Sequence, residues 1–243
     1  MMPSSYHTHT VFCDGRDTPE ELVLEAIRLG CPEIGFSGHS HTSFDESYCM
    51  SPEGTCKYKE CVLALREKYA DKIKVLLGVE QDYFSDAPTD GYDYVIGSVH
   101  YVKKDGLYLP VDESRETQLR IVDEHYAGDF LAFAEDYFKL AGGVYEKTRC
   151  DIIGHFDLIG KFNEKRDLFD PDDPRYRSAA NKAIEHLIDC GAAFEINYGA
   201  VARGYRSSPY PEARLLKKLT DAGVRLIKTS DCHDRSTLLF GLT

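Results

Sequence analysis

Along this chain the predicted strands stop, one after another, at residues that can hold a metal ion. Apolar, β-rich runs alternate with amphipathic helical segments through the whole sequence, the pattern of a parallel sheet with crossover helices. Strands are expected at residues 4–9, 33–39, 72–80, 92–100, 150–157, 192–198 and 224–233. The first delivers His7 and His9, the second His39, the third Glu80, the fourth His100, the fifth His155, and the seventh Asp231 and His233. Side chains two apart on a strand share a face, so the HxH and DxH pairs each project two donors together. In a parallel barrel the C-terminal ends of the strands form the active-site face. His125 and His186 fall in helical segments instead and read as structural or exposed.

The helices carry their own signals. "TPEELVLEAIRLG" has Thr18 as cap, Pro19 at the first helical position and Gly30 as stop, and Ser51-Pro52 opens another. A long stretch at 101–149 holds a hairpin turn at Lys104-Asp105-Gly106 and one or two helices, and reads as an insertion in a single domain spanning 1–243. The expected fold class is α/β, a barrel or an open doubly wound sheet.

With nine candidate donors (His7, His9, Asp14, His39, Glu80, His100, His155, Asp231 and His233), one ion with about four ligands cannot use them all. Two to three divalent ions are expected, with Glu80 as the bridging carboxylate. Mixed imidazole and carboxylate donors suit Zn, Mn or Fe, and argue against Ca or Mg alone. A formal net charge of −12 excludes a basic track for a long nucleic acid but not a small phosphorylated substrate. No apolar run is long enough to span a bilayer, and the N-terminus lacks the pattern of a signal peptide. A cytoplasmic protein is expected, with its eight cysteines reduced. Cys13 and Cys232 flank the donors without an obvious base beside them.

With "YHTHTVFCDG", "EIGFSGHSHT", "LLGVEQDYF", "DYVIGSVHYV", "DIIGHFDLI", "FEIN" and "TSDCH" in this order, the chain resembles the PHP (polymerase and histidinol phosphatase) family, most of all its histidinol-phosphate phosphatase branch. The resemblance implies a distorted (β/α)7 TIM-like barrel with its metal site at the C-terminal strand ends. It also implies a trinuclear site: His7, His9, Glu80 and Asp231 on one ion, Glu80, His100 and His155 on a second, Asp14, His39 and His233 on a third. Two positions depart from the family pattern. Gly38 stands where Asp usually precedes the histidine, and Gly160, followed by Lys161, stands where many members carry a phosphate-clamping Arg.

The expected reaction is hydrolysis of a phosphate monoester, most specifically L-histidinol phosphate in histidine biosynthesis, by a hydroxide shared between two metals. Glu80, Asp231 and His41 are the candidate catalytic residues. Arg203, Lys161, Asn197 and His41 are the candidate substrate contacts. Plainer readings stand beside some of these: His41 as an exposed loop histidine, Lys161 as a surface lysine, Asn197 as a partner of backbone groups. Arg206 reads as a solvated loop charge. "GFSGHS" does not match the GxSxG spacing of a nucleophile elbow. Three alternatives stay open: a family phosphoesterase acting on another small ester or nucleotide, an amidohydrolase-like metal hydrolase, and a non-catalytic metal-binding protein.

Overall fold

The helices begin at their caps. In the computed structural model, which describes residues 3–243, α1 (Pro19–Arg28) starts after Thr18, whose side chain accepts from the Glu21 N–H while the Glu21 carboxylate accepts from the Thr18 N–H. That reciprocal pair satisfies two of the free donors at a helix start. α2 (Pro52–Lys68) is capped by Ser51, α3 (Arg115–Tyr126) by Ser114, α4 (Phe130–Gly142) by Asp129 and α6 (Pro174–Leu187) by Asp173. Between α4 and α6 lies the short α5 (Val144–Thr148), and α7 (Gly199–Ala202) and α8 (Ala213–Asp221) complete the set.

Strands β1 (Glu33–Phe36), β2 (Lys74–Asp82), β3 (Tyr94–Ser98), β6 (Ile152–Ile153), β7 (Ala193–Asn197) and β8 (Leu226–Thr229) pair in the order β1-β2-β3-β6-β7-β8, every pair parallel. These six strands form a curled half-barrel with helices outside it. The expected turn at Lys104-Asp105-Gly106 joins β4 (Tyr101–Lys104) to β5 (Leu107–Pro110), an antiparallel hairpin that stands apart from the main sheet.

The segment expected as the first strand is extended but makes no regular ladder. Ser5 forms a single bridge with Ile34, and Thr8 a single bridge with Cys232. The Gly35 N–H donates to Ser5 O at 2.7 Å, while the His9 N–H donates to Cys232 O at 2.8 Å and the Cys232 N–H to His7 O at 3.0 Å. The segment thus meets the β1 side with its first residues and the chain beyond β8 with its last. Each overlap is too short for a strand, so six strands pair where seven were expected.

Alternation along the strands divides the sheet's two faces. Tyr94, Ile96, Ile152 and Ala193 form an apolar cluster of their own, with Tyr6, Leu76 and Ile227 packed against it. Glu80 lies four residues beyond Leu76 on β2, and Glu195 two beyond Ala193 on β7, so the same face turns polar toward the C-terminal strand ends. The opposite face, carrying residues such as Leu77, Val79 and Phe194, joins the large core shared with the helices.

Tyr94 spans the base of this arrangement. Its hydroxyl donates to Tyr6 O at 2.5 Å and lies 3.1 Å from Phe36 O. Its ring crosses Gly78, where a Cβ would stand 2.3 Å from the Tyr94 ring, and its hydroxyl faces Gly35, where a Cβ would stand 2.4 Å away. Gly78→Ala is therefore expected to lower stability by about 1–3 kcal/mol through overpacking, read from urea denaturation; a midpoint equal to wild type would show that Tyr94 yields without cost.

Candidate metal centre

Glu80 sits near the end of β2, 1% exposed, with imidazoles from several segments turned toward it. Its Oε2 lies 3.1 Å from His7 Nε2, 3.5 Å from His9 Nε2 and 3.0 Å from His39 Nδ1. Its Oε1 lies 2.9 Å from His155 Nε2 and 3.3 Å from His100 Nε2. Asp231 Oδ1 joins from beyond β8, 3.6 Å from His7 Nε2 and 3.3 Å from His9 Nε2. At the cluster's more open side Asp14 Oδ2 meets His233 Nε2 at 3.1 Å, and Asp14 Oδ1 meets His39 Nε2 at 3.7 Å. All nine sequence-predicted donors are brought together, in four overlapping groups whose donor atoms lie within 4.8 Å of one another. His39 reaches two of these groups, one with Glu80 and His100 and one with His9, Asp14 and His233.

The donor atoms fit a cation. His7 Nε2, His9 Nε2 and Glu80 Oε2 are buried and have no hydrogen-bond partner, a costly state for buried polar atoms. Donors at 2.0–2.1 Å from a tetrahedral Zn ion would stand about 3.3 Å apart, close to the separations among His7, His9, Glu80 and Asp231.

Protonation points the same way. Burial alone would raise the Glu80 pKa, but His7, His39 and His100 hold it well below the usual carboxylate range. Asp231 is likewise held low against burial, by Arg203 and His7. Burial, with His233 and His39 nearby, pushes His9 down to about 3, leaving a neutral imidazole with a free lone pair. At His7 burial is outweighed by Glu195, Glu80 and Asp231, which raise its pKa; metal binding there displaces a proton.

Outer partners orient the ligands, and sequence reading missed them. Glu195 on β7, 1% exposed, accepts from His7 Nδ1 at 2.6 Å with one oxygen, and with the other from the His155 N–H and Asn197 Nδ2, each at 2.9 Å. Asp82 sits 3.1 Å from His100 Nδ1. Their signal was the rule already applied to HxH: Glu80 and Asp82 are two apart on β2, as Glu195 and Asn197 are on β7. Beside Gly38, Met50 stands 3.2 Å from where a Cβ would be, so that space is already filled.

A cavity of about 550 Å³ opens over the cluster, and its lining includes Arg203, Lys161, Asp112, Glu113, Tyr48 and Tyr101. Arg203 donates to Asp231 Oδ2 at 3.0 Å and lies 2.9 Å from His233 Nδ1. Lys161 is not a surface lysine: it is 9% exposed, and its Nζ donates to Asp112 O at 2.8 Å and Asp112 Oδ2 at 3.0 Å. Two expected contacts lie elsewhere. His41 turns out of the cluster to Glu46, at 2.8 Å, because the chain bends after His39, where the Ser40 N–H donates to Glu80 O. Asn197 is fully buried, held by Glu195 and by the Gly199 N–H. Arg206 is not a solvated charge. Its side chain is 10% exposed, 3.9 Å from Asp157 and stacked 4.5 Å over the Tyr210 ring.

These features belong to a known class. The PHP domain profile matches residues 5–199, and the chain is a member of the PHP domain family. A protein of Schizosaccharomyces pombe named probable histidinol-phosphatase is 27% identical over 260 residues, covering 96% of this chain and 81% of its own length. A Deinococcus radiodurans protein of the same name is 28% identical, covering 93% and 85%. Among solved structures, a candidate histidinol phosphatase, HisK, from Listeria monocytogenes superposes with a TM-score of 0.79 at 19% identity, over 98% of both chains. Histidinol phosphate phosphatase from Lactococcus lactis, solved with Zn, L-histidinol and phosphate, superposes at 0.69 and 20% identity, over 96% of this chain and 87% of its own.

Glu195→Gln is expected to weaken metal binding about 10–100-fold, measured by chelator competition on folded protein. Wild-type affinity would show that His7 needs no partner at Nδ1. The thiols are expected to divide by depth. Burial pushes Cys13 and Cys232 each up to about 12 and Cys150 to about 11, whereas Cys56 is exposed. Because the thiolate is the reactive form, iodoacetamide at neutral pH should label Cys56 first. Labelling of Cys13 or Cys232 before Cys56, mapped by peptide mass, would contradict this ordering.

Proposed function

We propose that this protein is a metal-dependent phosphate monoester hydrolase whose substrate is L-histidinol phosphate. One observation carries the reading: the two oxygens of the buried Glu80 face different sets of imidazoles, at the floor of a cavity open to a small ligand. The names of the relatives that match over most of the chain support it. The resident cofactors are two to three divalent ions, Zn, Mn or Fe. His7, His9, Glu80 and Asp231 would hold one, Glu80, His100 and His155 the second, and Asp14, His39 and His233 the third. The extended segment through His7 and His9 serves as the seventh stave of a distorted (β/α)7 barrel, with residues 101–149 as an insertion in one domain. When bound, the ions neutralise phosphate charge and activate water.

The chain's own residues supply binding and orientation. Arg203, anchored on Asp231 and pointing into the cavity, clamps the phosphate. Lys161 adds a point charge at the same wall, where Gly160 offers no guanidinium. Glu113, which lines the cavity beside the Lys161–Asp112 pair, supplies the negative charge that receives the cationic leaving group. His41 faces Glu46 and Asn197 is fully buried beneath the site, so neither is assigned a contact with substrate. Among the described residues no helix is long and apolar enough to cross a membrane; a cytoplasmic location would suit a biosynthetic role.

The test is a panel of small phosphate esters. Hydrolysis of histidinol phosphate, abolished by chelator and restored by metal, is expected to exceed that of uncharged alkyl phosphates. Equal rates across the panel would favour a different ester, the reading that Gly160 keeps open. Arg203→Met should lower kcat/KM about 10–100-fold, the worth of a charge-assisted hydrogen bond; unchanged kinetics would remove Arg203 from phosphate binding.

A further inference from the structure

The outer group of donors is built differently from the paired one. The Glu80 and His7 side chains have no exposure, whereas Asp14 keeps 34% and His233 24%. Glu80 is carried by a strand, but Asp14 lies in the loop at 10–17 and His233 in the loop that follows β8. Asp14 Oδ2 and His233 Nε2 meet at 3.1 Å, so their meeting depends on how the two loops are joined.

The first loop is closed on itself. The Cys13 and Gly15 N–H groups both donate to Thr10 O, at 2.9 and 3.1 Å, and the Val11 N–H donates to Asp17 O at 3.0 Å. Gly15 permits this turn, since a Cβ there would stand 2.4 Å from Thr10 N. The second loop leaves β8 through Asp231, whose φ of 47° lies in the left-handed region, which a residue other than glycine keeps only where its surroundings fix it. Two hydrogen bonds then join the loops. The Arg16 N–H donates to His233 O at 2.9 Å, and the Arg235 N–H donates to Asp17 Oδ2 at 2.8 Å. Asp17 is buried, and its other oxygen lies 3.4 Å from Arg235 Nε. Only the bond to Asp17 uses a side chain, so it is the one that a substitution can remove.

We propose that Asp17 is a positioning residue for the third metal position: its carboxylate clasps the loop of His233 to the loop of Asp14, and without that clasp the two donors part. The inference rests on the metal assignment proposed above and adds to it the residue on which the outer ion depends. Asp17 acts through the main chain of Arg235 and not on the ion.

Zinc binding tests it, with no substrate present. Stoichiometry and affinity are read by chelator competition on protein whose far-ultraviolet circular dichroism matches wild type. Wild type is expected to hold three ions. Asp17→Ala should hold the weakest-bound of them about 10–100-fold less tightly, the worth of a hydrogen bond to a charged acceptor, and the other two as wild type does. Asp17→Asn keeps an oxygen that can accept from the Arg235 N–H and should stay within about tenfold of wild type. Arg235→Ala, at a side chain 52% exposed, should hold all three ions, since the bond that matters is donated by the main chain. The last two variants decide the matter even where Asp17→Ala does not fold. Wild type with only two ions, equal weakening of every ion in Asp17→Ala, or loss of the third ion in Asp17→Asn or Arg235→Ala would each overturn the proposal. No turnover is read, so a protein with the expected zinc pattern that hydrolyses no ester would fail the hydrolase reading and leave this one standing.

Discussion

A carboxylate buried among five imidazoles governs this protein. Removing Glu80 from water costs several kcal/mol unless positive charge or hydrogen bonds offset it. The offset comes from His7, His39 and His100, with His155 Nε2 in hydrogen-bond contact with Glu80 Oε1 at 2.9 Å, while His9 packs beside them. These arrive from separate parts of the chain: the N-terminal segment, the stretch just after β1, the loop after β3 and the turn after β6. The strand order therefore has to be right before the charge balance can be. Conversely, the cluster ties together the ends of strands that are otherwise short, β6 being only two residues long.

The inner face divides its labour by depth. At the strand starts Tyr94, Ile96, Ile152 and Ala193 pack an apolar floor, and Tyr94 reaches across two glycines to anchor the N-terminal segment. Two residues further along, the same face carries carboxylates. Glu195 and Asp82 then work one layer behind the donors, fixing which nitrogen of His7 and His100 faces the centre. An imidazole held at Nδ1 presents Nε2 without rotating, so the donors are positioned before any ion arrives.

The donors were legible in the sequence because they are unusual residue types at the expected strand ends. Their outer partners were not, because one carboxylate inside a strand looks like any polar residue until its neighbours are known. The period-two rule that paired His7 with His9 pairs Glu80 with Asp82 equally well. Extended two residues past His39, the same rule would carry His41 into the site, where it does not lie. β1 ends at Phe36, and the Ser40 N–H donates to Glu80 O, so the alternation does not continue to His41. The first strand failed for a different reason. Its residues are extended, but its pairing is split between two neighbours, and local pattern cannot reveal that. Arg206 was misread because the apolar surface that covers it, the Tyr210 ring, comes from a loop whose course only the fold sets.

The central claim is that one carboxylate holds two metal positions together. Metal content of Glu80→Gln, measured beside wild type after purification in the presence of Zn, addresses it directly. The substitution keeps size and hydrogen-bonding capacity but removes the charge that two cations share. Wild type is expected to carry two to three ions per chain, about four ligands serving each. The variant, with its far-ultraviolet circular dichroism unchanged, should lose the ions of the paired positions. Full metal content in a folded Glu80→Gln protein would contradict the account.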